Sequence, residues 1–234
     1  MKKNIIILSC IFLTIFISMM FFTPEKIIAN YDRVSKNGKD LKINEDVKVL
    51  VLMSHAYGTN THLYFDNFEQ YGWDITTAAL TQTVQPCNFG SSSGCLPITV
   101  DLLISEVSDI SEYDVLVIAP ATWDQSNVDP YIDLIENQDA INLVVSAVNE
   151  NLIIYTHCAG ARVLAAANVI NGVNIQAKPG DNGVFLTEYN AAGANYLGDQ
   201  IPPVIDGIFV TTSRGLYFHY QNCQAIATAL ENNQ

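Results

Sequence analysis

Positive charge is scarce in this chain. Lys and Arg number 11 against 24 Asp and Glu, which leaves a formal charge of −13. The shortage is uneven: residues 1–46 carry seven basic and five acidic side chains, whereas residues 47–234 carry four and nineteen. So acidic a body repels phosphate backbones, which argues against nucleic acid as a partner and requires a local basic exception for any anionic ligand. In the body only Lys48, Arg162, Lys178 and Arg214 can supply that exception. Histidine is scarce too, with four in all. Apart from the dipeptide His157-Cys158, no pair of His, Cys or carboxylate residues has a recognised ligand spacing, so neither a metal nor another cofactor is expected. No internal repeat is visible.

Long apolar runs are also absent, with one exception. Ile5 to Phe22, IIILSCIFLTIFISMMFF, is eighteen residues without a charge, just enough for a helix to span the hydrocarbon layer. It is read as one transmembrane helix or signal anchor. The run leads into TPEKIIAN, whose bulky and charged residues lack a small-residue cleavage site, and this favours an anchor that is kept. Cys10 sits too early in the run for a lipoprotein signal and is read as a lipid-facing thiol. The expected organisation is a short tail at 1–4, the membrane segment at 5–22, a polar tether at 23–46 and a folded domain at 47–234.

Two signals disagree on which side of the membrane the domain lies. Lys26, Arg33, Lys36, Lys39 and Lys42 outnumber Lys2 and Lys3, which by the positive-inside rule puts the domain in the cytoplasm. The stretch PCNFGSSSGCLP instead brackets a Gly- and Ser-rich loop with Cys87 and Cys95, candidates for a disulfide. A bridge of that kind persists in an oxidising compartment, and it tips the expectation toward an extracytoplasmic domain. Two unrelated loop thiols are the alternative.

Within the domain, near-continuous apolar runs alternate with helical patterns. VKVLVLM (47–53), DVLVIAP (114–120) and LIIYT (152–156) have the composition of strands covered on both faces. THLYFDNFEQYG reads as a helix with Leu63, Phe65 and Phe68 on one side, stopped at Gly72 and followed by a strand in WDITTAAL. TVDLLISEV reads as a short strand. YIDLIENQDAINLVVSAVNE has helical spacing with a break near Asn137, and QNCQAIATAL is a closing helix with Cys223 in the core. The region Lys178 to Pro203 lacks a clear period and is expected to rim the site as loop and short strands. Strands alternating with helices imply an α/β, doubly wound, mainly parallel sheet, with its ligand site at the C-terminal strand ends.

Cys158 falls at one of those ends. LIIYTHCAGARVLAAA passes from strand to helix with almost no loop, the layout of a nucleophile elbow, in which the apical side chain stands above the sheet. The following helix points its positive end at the sulfur, which favours thiolate. An oxyanion at this place would collect the amide of Ala159 together with one from the parallel strand end, Ala121. A buried structural cysteine is the alternative.

The elbow HCAGARVLAAANVINGVNIQA, the first strand with its helix ending in Tyr-Gly, and IDGIFVTTSRGLYFHYQNCQAIATAL together resemble the DJ-1/PfpI family of the class I glutamine amidotransferase-like superfamily, over roughly Val47 to Leu230. The resemblance implies a flavodoxin-like three-layer α/β/α sandwich, a reactive elbow cysteine and frequent dimerisation. It also implies a family that ranges over peptidases, glyoxalase- or deglycase-type enzymes, hydratases, chaperones and redox sensors, so fold underdetermines activity.

Three departures from the family pattern stand out. Family members usually offer a Glu after the first strand to tune the sulfur, and Asn60 falls there; Asn bonds sulfur but exchanges no proton near neutrality. Ala159 stands where the peptidase-like branch has a His directly after the cysteine. Lys178 stands where many relatives carry a further His. Four histidines remain to act as base. His157 adjoins Cys158, yet strand alternation gives Thr156 the side nearer the sulfur. His55 and His62 flank the loop of Asn60, and His219 opens the last helix; His62 and His219 are carried forward with Cys158 as catalytic candidates. Arg214 is the anion-binding candidate, with a salt bridge as its alternative.

Two functional expectations follow. In one, the protein is a membrane-anchored, cysteine-dependent hydrolase or glyoxalase-type enzyme acting on a small molecule or peptide with an electrophilic carbonyl or amide. In the other, it is a non-catalytic thiol sensor or ligand-binding module, whose Cys158 is oxidised to sulfenic or sulfinic acid.

Overall fold

The first strand, β1 (Lys48–Met53), is buried along all but its first residue, as a strand in the middle of a covered parallel sheet must be. A computed structural model of the chain describes residues 46–58, 60–86, 96–121, 129, 131–199, 202–215 and 218–233. The apolar segment 5–22, the tether up to residue 45, and Cys87 and Cys95 lie outside the described residues. Among the described residues no helix is long and apolar enough to cross a membrane.

After β1 come β2 (Ala56–Tyr57), helix α1 (Thr61–Gln70), β3 (Asp74–Ala79), β4 (Thr83–Pro86), β5 (Ile98–Thr99), β6 (Leu102–Leu103) and β7 (Val115–Ile118). Next are α2 (Ile132–Ile135), α3 (Gln138–Asn149), β8 (Ile153–His157), α4 (Ala161–Ala166) and β9 (Asn174–Ile175). The chain ends with α5 (Leu186–Ala191), β10 (Asn195–Tyr196), β11 (Val204–Asp206), β12 (Phe209–Thr212) and α6 (His219–Asn232). Seven strands form the main sheet in the order β11-β12-β8-β7-β1-β3-β6. Every pairing in it is parallel except β11 with β12, a hairpin closed through Gly207, whose φ of 58° a residue with a Cβ adopts at a cost. The architecture is the expected α/β flavodoxin-like sandwich.

Alternate strand residues divide between two helical layers. Leu50, Leu52, Leu116, Ile118 and Ile154 pack with α2, α3, α4 and α5 in the main apolar core. The opposite face carries Tyr155 and His157 against Tyr64 of α1, and α1 packs on α6. Each layer buries one stripe of its helices, which is the main apolar contribution to the fold.

Several local expectations need adjustment. Helix α1 buries Thr61, Tyr64, Asn67 and Phe68, so its inward stripe shares only Phe68 with the anticipated set; Leu63 and Phe65 are half-exposed. Tyr64 prevails because its hydroxyl finds buried polar partners, 2.7 Å from Tyr155 Oη and 2.9 Å from Asn222 Nδ2. The break at Asn137 is an N-cap: its Oδ1 accepts from the amides of Asp139 and Ala140, both at 3.0 Å, and so starts α3 anew. TVDLLISEV is not one strand: Thr99 ends β5, Leu102–Leu103 forms β6, and Ile104–Glu106 is already a 3₁₀ turn. The span 178–203 contains a helix, α5, hidden from periodicity by its shortness; it is held by the buried Tyr189, whose hydroxyl donates to the Lys178 carbonyl at 3.0 Å.

Candidate functional site

Strand register assembles the site. Leu52 of β1, Ile118 of β7 and Thr156 of β8 lie side by side, so Ser54, Pro120 and Cys158 all follow their strands at one level, at the C-terminal edge of the sheet. In a doubly wound fold that edge is the ligand crevice. Cys158 has φ 57°, in the left-handed region, as the single residue that turns β8 into the 3₁₀ segment Cys158–Gly160 and then α4. Positive φ is unusual for a residue other than Gly, Asn or Asp, and the surrounding packing has to hold it. A side chain at Gly160 would run into Thr156 Oγ1, so the turn closes only on glycine. The carbonyl of Cys158 accepts from the Lys178 amide at 3.0 Å, which ties the elbow to the segment before α5.

Cys158 keeps some surface, but its sulfur is largely enclosed. Enclosure pushes the thiol above its ordinary range and outweighs the Ala159 amide, which bonds the sulfur and lowers it; the charge of Lys178 also lowers it, Asp199 raises it and Arg214 lowers it. The thiolate expected from the elbow is therefore not the resting form. α4 is only six residues long, and the positive end of so short a helix does not offset the lost hydration.

Around the sulfur the charges form one group. Asp199 lies between Arg214 Nε, at 3.3 Å, and Lys178 Nζ, at 3.9 Å, so two cations share a single carboxylate and leave the mouth positive in an acidic protein. Arg214 thus takes part in an ion pair and remains half-exposed. The other basic residue of the second half, Arg162, serves the scaffold. It is 5 % exposed, donates to Asp129 and in bidentate fashion to Glu188, and lies 4.2 Å over the ring of Phe185.

Asn60 and His157 meet each other. Asn60, 8 % exposed, directs Nδ2 to within 3.4 Å of His157 Nε2. His157 is stacked on Tyr64 with ring centroids 5.6 Å apart, and burial pushes its pKa down to about 4, which keeps it neutral. Among the described residues its Nδ1 has no hydrogen-bond partner. Its ring lies on the α1/α6 face, whereas Thr156 turns toward Gly160. The backbone amides also differ in availability. Ala159 NH is directed at the sulfur, but Ala121 NH donates to Tyr131 Oη at 3.0 Å and is not open to an oxyanion. Tyr131 in turn donates to the Ala119 carbonyl at 3.1 Å, so freeing that amide means breaking a buried pair of bonds.

The remaining histidines are dispersed. His62, on α1, is 3.2 Å from the Tyr57 hydroxyl and edge-on to Tyr57 and Phe65. His219 opens α6 and is half-buried. His55 is held by Asp133, a residue that sequence reading passes over because 78 positions separate it from the His55 amide it accepts from. Asp199, Gly215 and Tyr131 escape notice for the same reason: no local pattern marks them. Cys223 is fully buried, as a core residue should be. Among the described residues no group of three His, Cys, Asp or Glu side chains could hold a metal ion.

Comparison with known proteins places the fold. The pattern of the DJ-1/PfpI family matches residues 47–229. A ThiJ/PfpI domain protein from Brachyspira murdochii shares 19 % identity at a TM-score of 0.64, over 79 % of this chain and 96 % of that one. A DJ-1 superfamily protein from Agrobacterium tumefaciens shares 19 % at 0.57, over 80 % and 88 %. DJ-1beta from Drosophila melanogaster shares 18 % at 0.57, over 80 % and 95 %. No curated protein matches. At these identities the structures speak for the fold alone, and the family pattern over most of the chain is decisive: this chain belongs to the DJ-1/PfpI family.

Proposed function

We propose that the domain performs cysteine-dependent chemistry on a small anionic compound with an electrophilic carbonyl or amide carbon, with Cys158 as nucleophile. The observation that carries this reading is the left-handed conformation of Cys158 at a strand end, φ 57°, beneath a mouth where Lys178 and Arg214 share Asp199. Strain at a strand end is sustained where it aims a side chain. The positive mouth supports an anionic substrate, since the rest of the body repels one. In the step, the sulfur bonds to the carbonyl carbon, the C=O π pair moves to oxygen near the Ala159 amide, and the thiol proton passes to a base. In this reading the segment Ile5–Phe22 holds the domain at a membrane, on the extracytoplasmic side if Cys87 and Cys95 are bridged, and Arg214 selects for the anion.

A second reading, a thiol sensor without turnover, draws on a different observation: Asn60 occupies the place of the tuning carboxylate and engages His157. The test is turnover of methylglyoxal, peptides and carboxamides by wild type and Cys158→Ser. Turnover by wild type that vanishes in the variant supports the enzyme. No turnover by either protein, with peroxide modifying Cys158 alone, supports the sensor.

A further inference from the structure

The donors around the Asp199 carboxylate converge from two segments beside the elbow. The register that pairs Thr212 of β12 with His157 of β8 sets Ser213 next to Cys158 at the ends of adjacent strands, whose backbones run about 5 Å apart. Ser213 is 2 % exposed, and its side chain hydrogen-bonds Asp199. Arg214 follows and approaches the same carboxylate with two arms of its fork, Nε at 3.3 Å from Oδ1 and Nη2 at 3.4 Å from Oδ2. Lys178 Nζ lies 3.9 Å from Oδ2, and the Lys178 amide donates to the Cys158 carbonyl at 3.0 Å. One buried hydroxyl, one guanidinium and one ammonium thus meet on a single planar anion. Such a donor set is a carboxylate receptor.

Receptor and occupant differ in how firmly they are held. The Arg214 amide donates to Thr212 Oγ1 at 3.2 Å, and the Arg214 carbonyl accepts from Thr212 Oγ1 at 3.3 Å and from Asn222 Nδ2 at 3.1 Å. Asp199 instead follows Gly198, whose φ of 104° suits glycine alone, and among the described residues no backbone hydrogen bond holds either of them. Its ion pairs are long for charge-assisted bonds, and the Arg214 and Lys178 side chains are 53 % and 48 % exposed, so water competes for them and the pairs add little to stability. The carboxylate nonetheless stays ionised: the Ser213 hydrogen bond, with the charges of Arg214 and Lys178, holds it below the usual range against a smaller loss of hydration. The receptor is fixed, and the group that fills it is loosely tethered.

We infer that Ser213, Arg214 and Lys178 form the subsite for a carboxylate on the ligand, and that Asp199 is its internal occupant, which the ligand's carboxylate displaces. The inference rests on the anionic-substrate reading above and deepens it, narrowing the anion to a carboxylate and making Asp199 an autoinhibitory contact. With Asp199 seated, the two cations and one anion leave a single positive charge; with it displaced, both cations face the ligand. An uncharged carbonyl compound has nothing to offer in exchange for Asp199, so the mouth discriminates against it.

The test compares iodoacetate with iodoacetamide, which differ by a carboxylate, on the full chain in uncharged detergent, with Cys158 alkylation followed by peptide mass. Either reagent forms the S–C bond, expels iodide with the C–I electron pair and releases the thiol proton to solvent. The ratio of the two rates cancels any change in the thiol's own ionisation. Asp199→Asn is expected to raise the iodoacetate-to-iodoacetamide ratio about tenfold, and the gain is expected to vanish in Asp199→Asn/Arg214→Met. At constant ionic strength, acetate in place of chloride should slow iodoacetate more in Asp199→Asn than in wild type. Melting curves report folding, and Asp199→Ser serves as a second variant. A ratio in folded Asp199→Asn within about twofold of wild type overturns the subsite. So does an equal gain with and without Arg214, which marks charge acting at a distance. Should Cys158 resist both reagents, the nucleophile reading fails and acetate binding decides the subsite: a rise in melting temperature larger in Asp199→Asn than in wild type, and lost without Arg214, supports it, while equal shifts in all three overturn it.

Discussion

Asn60 Nδ2 stands 3.4 Å from His157 Nε2, and the same ring nitrogen faces Gly215 on its other side. The ring beside Cys158 is thereby held from three directions, by Asn60 ahead of α1, Gly215 after β12 and Tyr64.

Gly215→Ala tests that enclosure. A Cβ at this position would stand 2.5 Å from His157 Nε2 and 2.7 Å from Cδ2 and Cε1, and the stacked ring has nowhere to retreat. The substitution should cost about 1–3 kcal/mol in a denaturant or thermal melt. Combined with His157→Ala, it should cost markedly less than the sum of the two single changes.

His157 also sets an acid limit. Its folded pKa, about 4, is below the ordinary 6.5, so the unfolded chain binds the proton more readily. The stabilising contribution is therefore complete above about pH 6.5 and is lost progressively as pH falls toward 4, at most about 3 kcal/mol over that window. Melting temperature measured against pH should fall across this range in wild type and fall less steeply in His157→Gln.

The mouth charges should tune the sulfur in opposite directions. Asp199 raises the Cys158 thiol while Lys178 and Arg214 lower it. Asp199→Asn should accelerate alkylation of Cys158 several-fold near neutrality, and Lys178→Met or Arg214→Met should slow it. Identical rates in all three would mean that these charges do not act on the sulfur.

Arg162 is a structural cation. Arg162→Met removes the donor set shared by Asp129 and Glu188 and should cost about 2–3 kcal/mol, less than a fully buried pair because both carboxylates keep contact with water. Glu188→Gln, which keeps the shape, should cost less than Arg162→Met in the same melts.

Much of the scaffold was legible because it is written in local patterns. β1, β7 and β8 announce themselves as apolar runs, the helix break at Asn137 is a capping residue before an amphipathic stretch, and Cys158 is marked by the strand-to-helix turn of His-Cys-Ala-Gly. For the inward face of α1 hydrophobicity alone favours Leu63 and Phe65, whereas the structure selects Tyr64 through partners on β8 and α6 far along the chain. α5 leaves no mark in the sequence because six residues are too few to display a helical period.

By itself the amino-acid order determined the alternation of strands and helices, the acidic surface and the position of the thiol at a strand end, since each depends on neighbours within a few residues. Only the folded chain decided which groups surround that thiol. Asn60 meeting His157, Ala121 giving its amide to Tyr131, Asp199 joining Lys178 to Arg214 and Asp133 holding His55 are contacts between segments that the fold brings together. The reason is that enclosure and charge act through space over a few ångströms, and in a doubly wound sheet residues that close to one another are commonly separated by tens of positions in sequence.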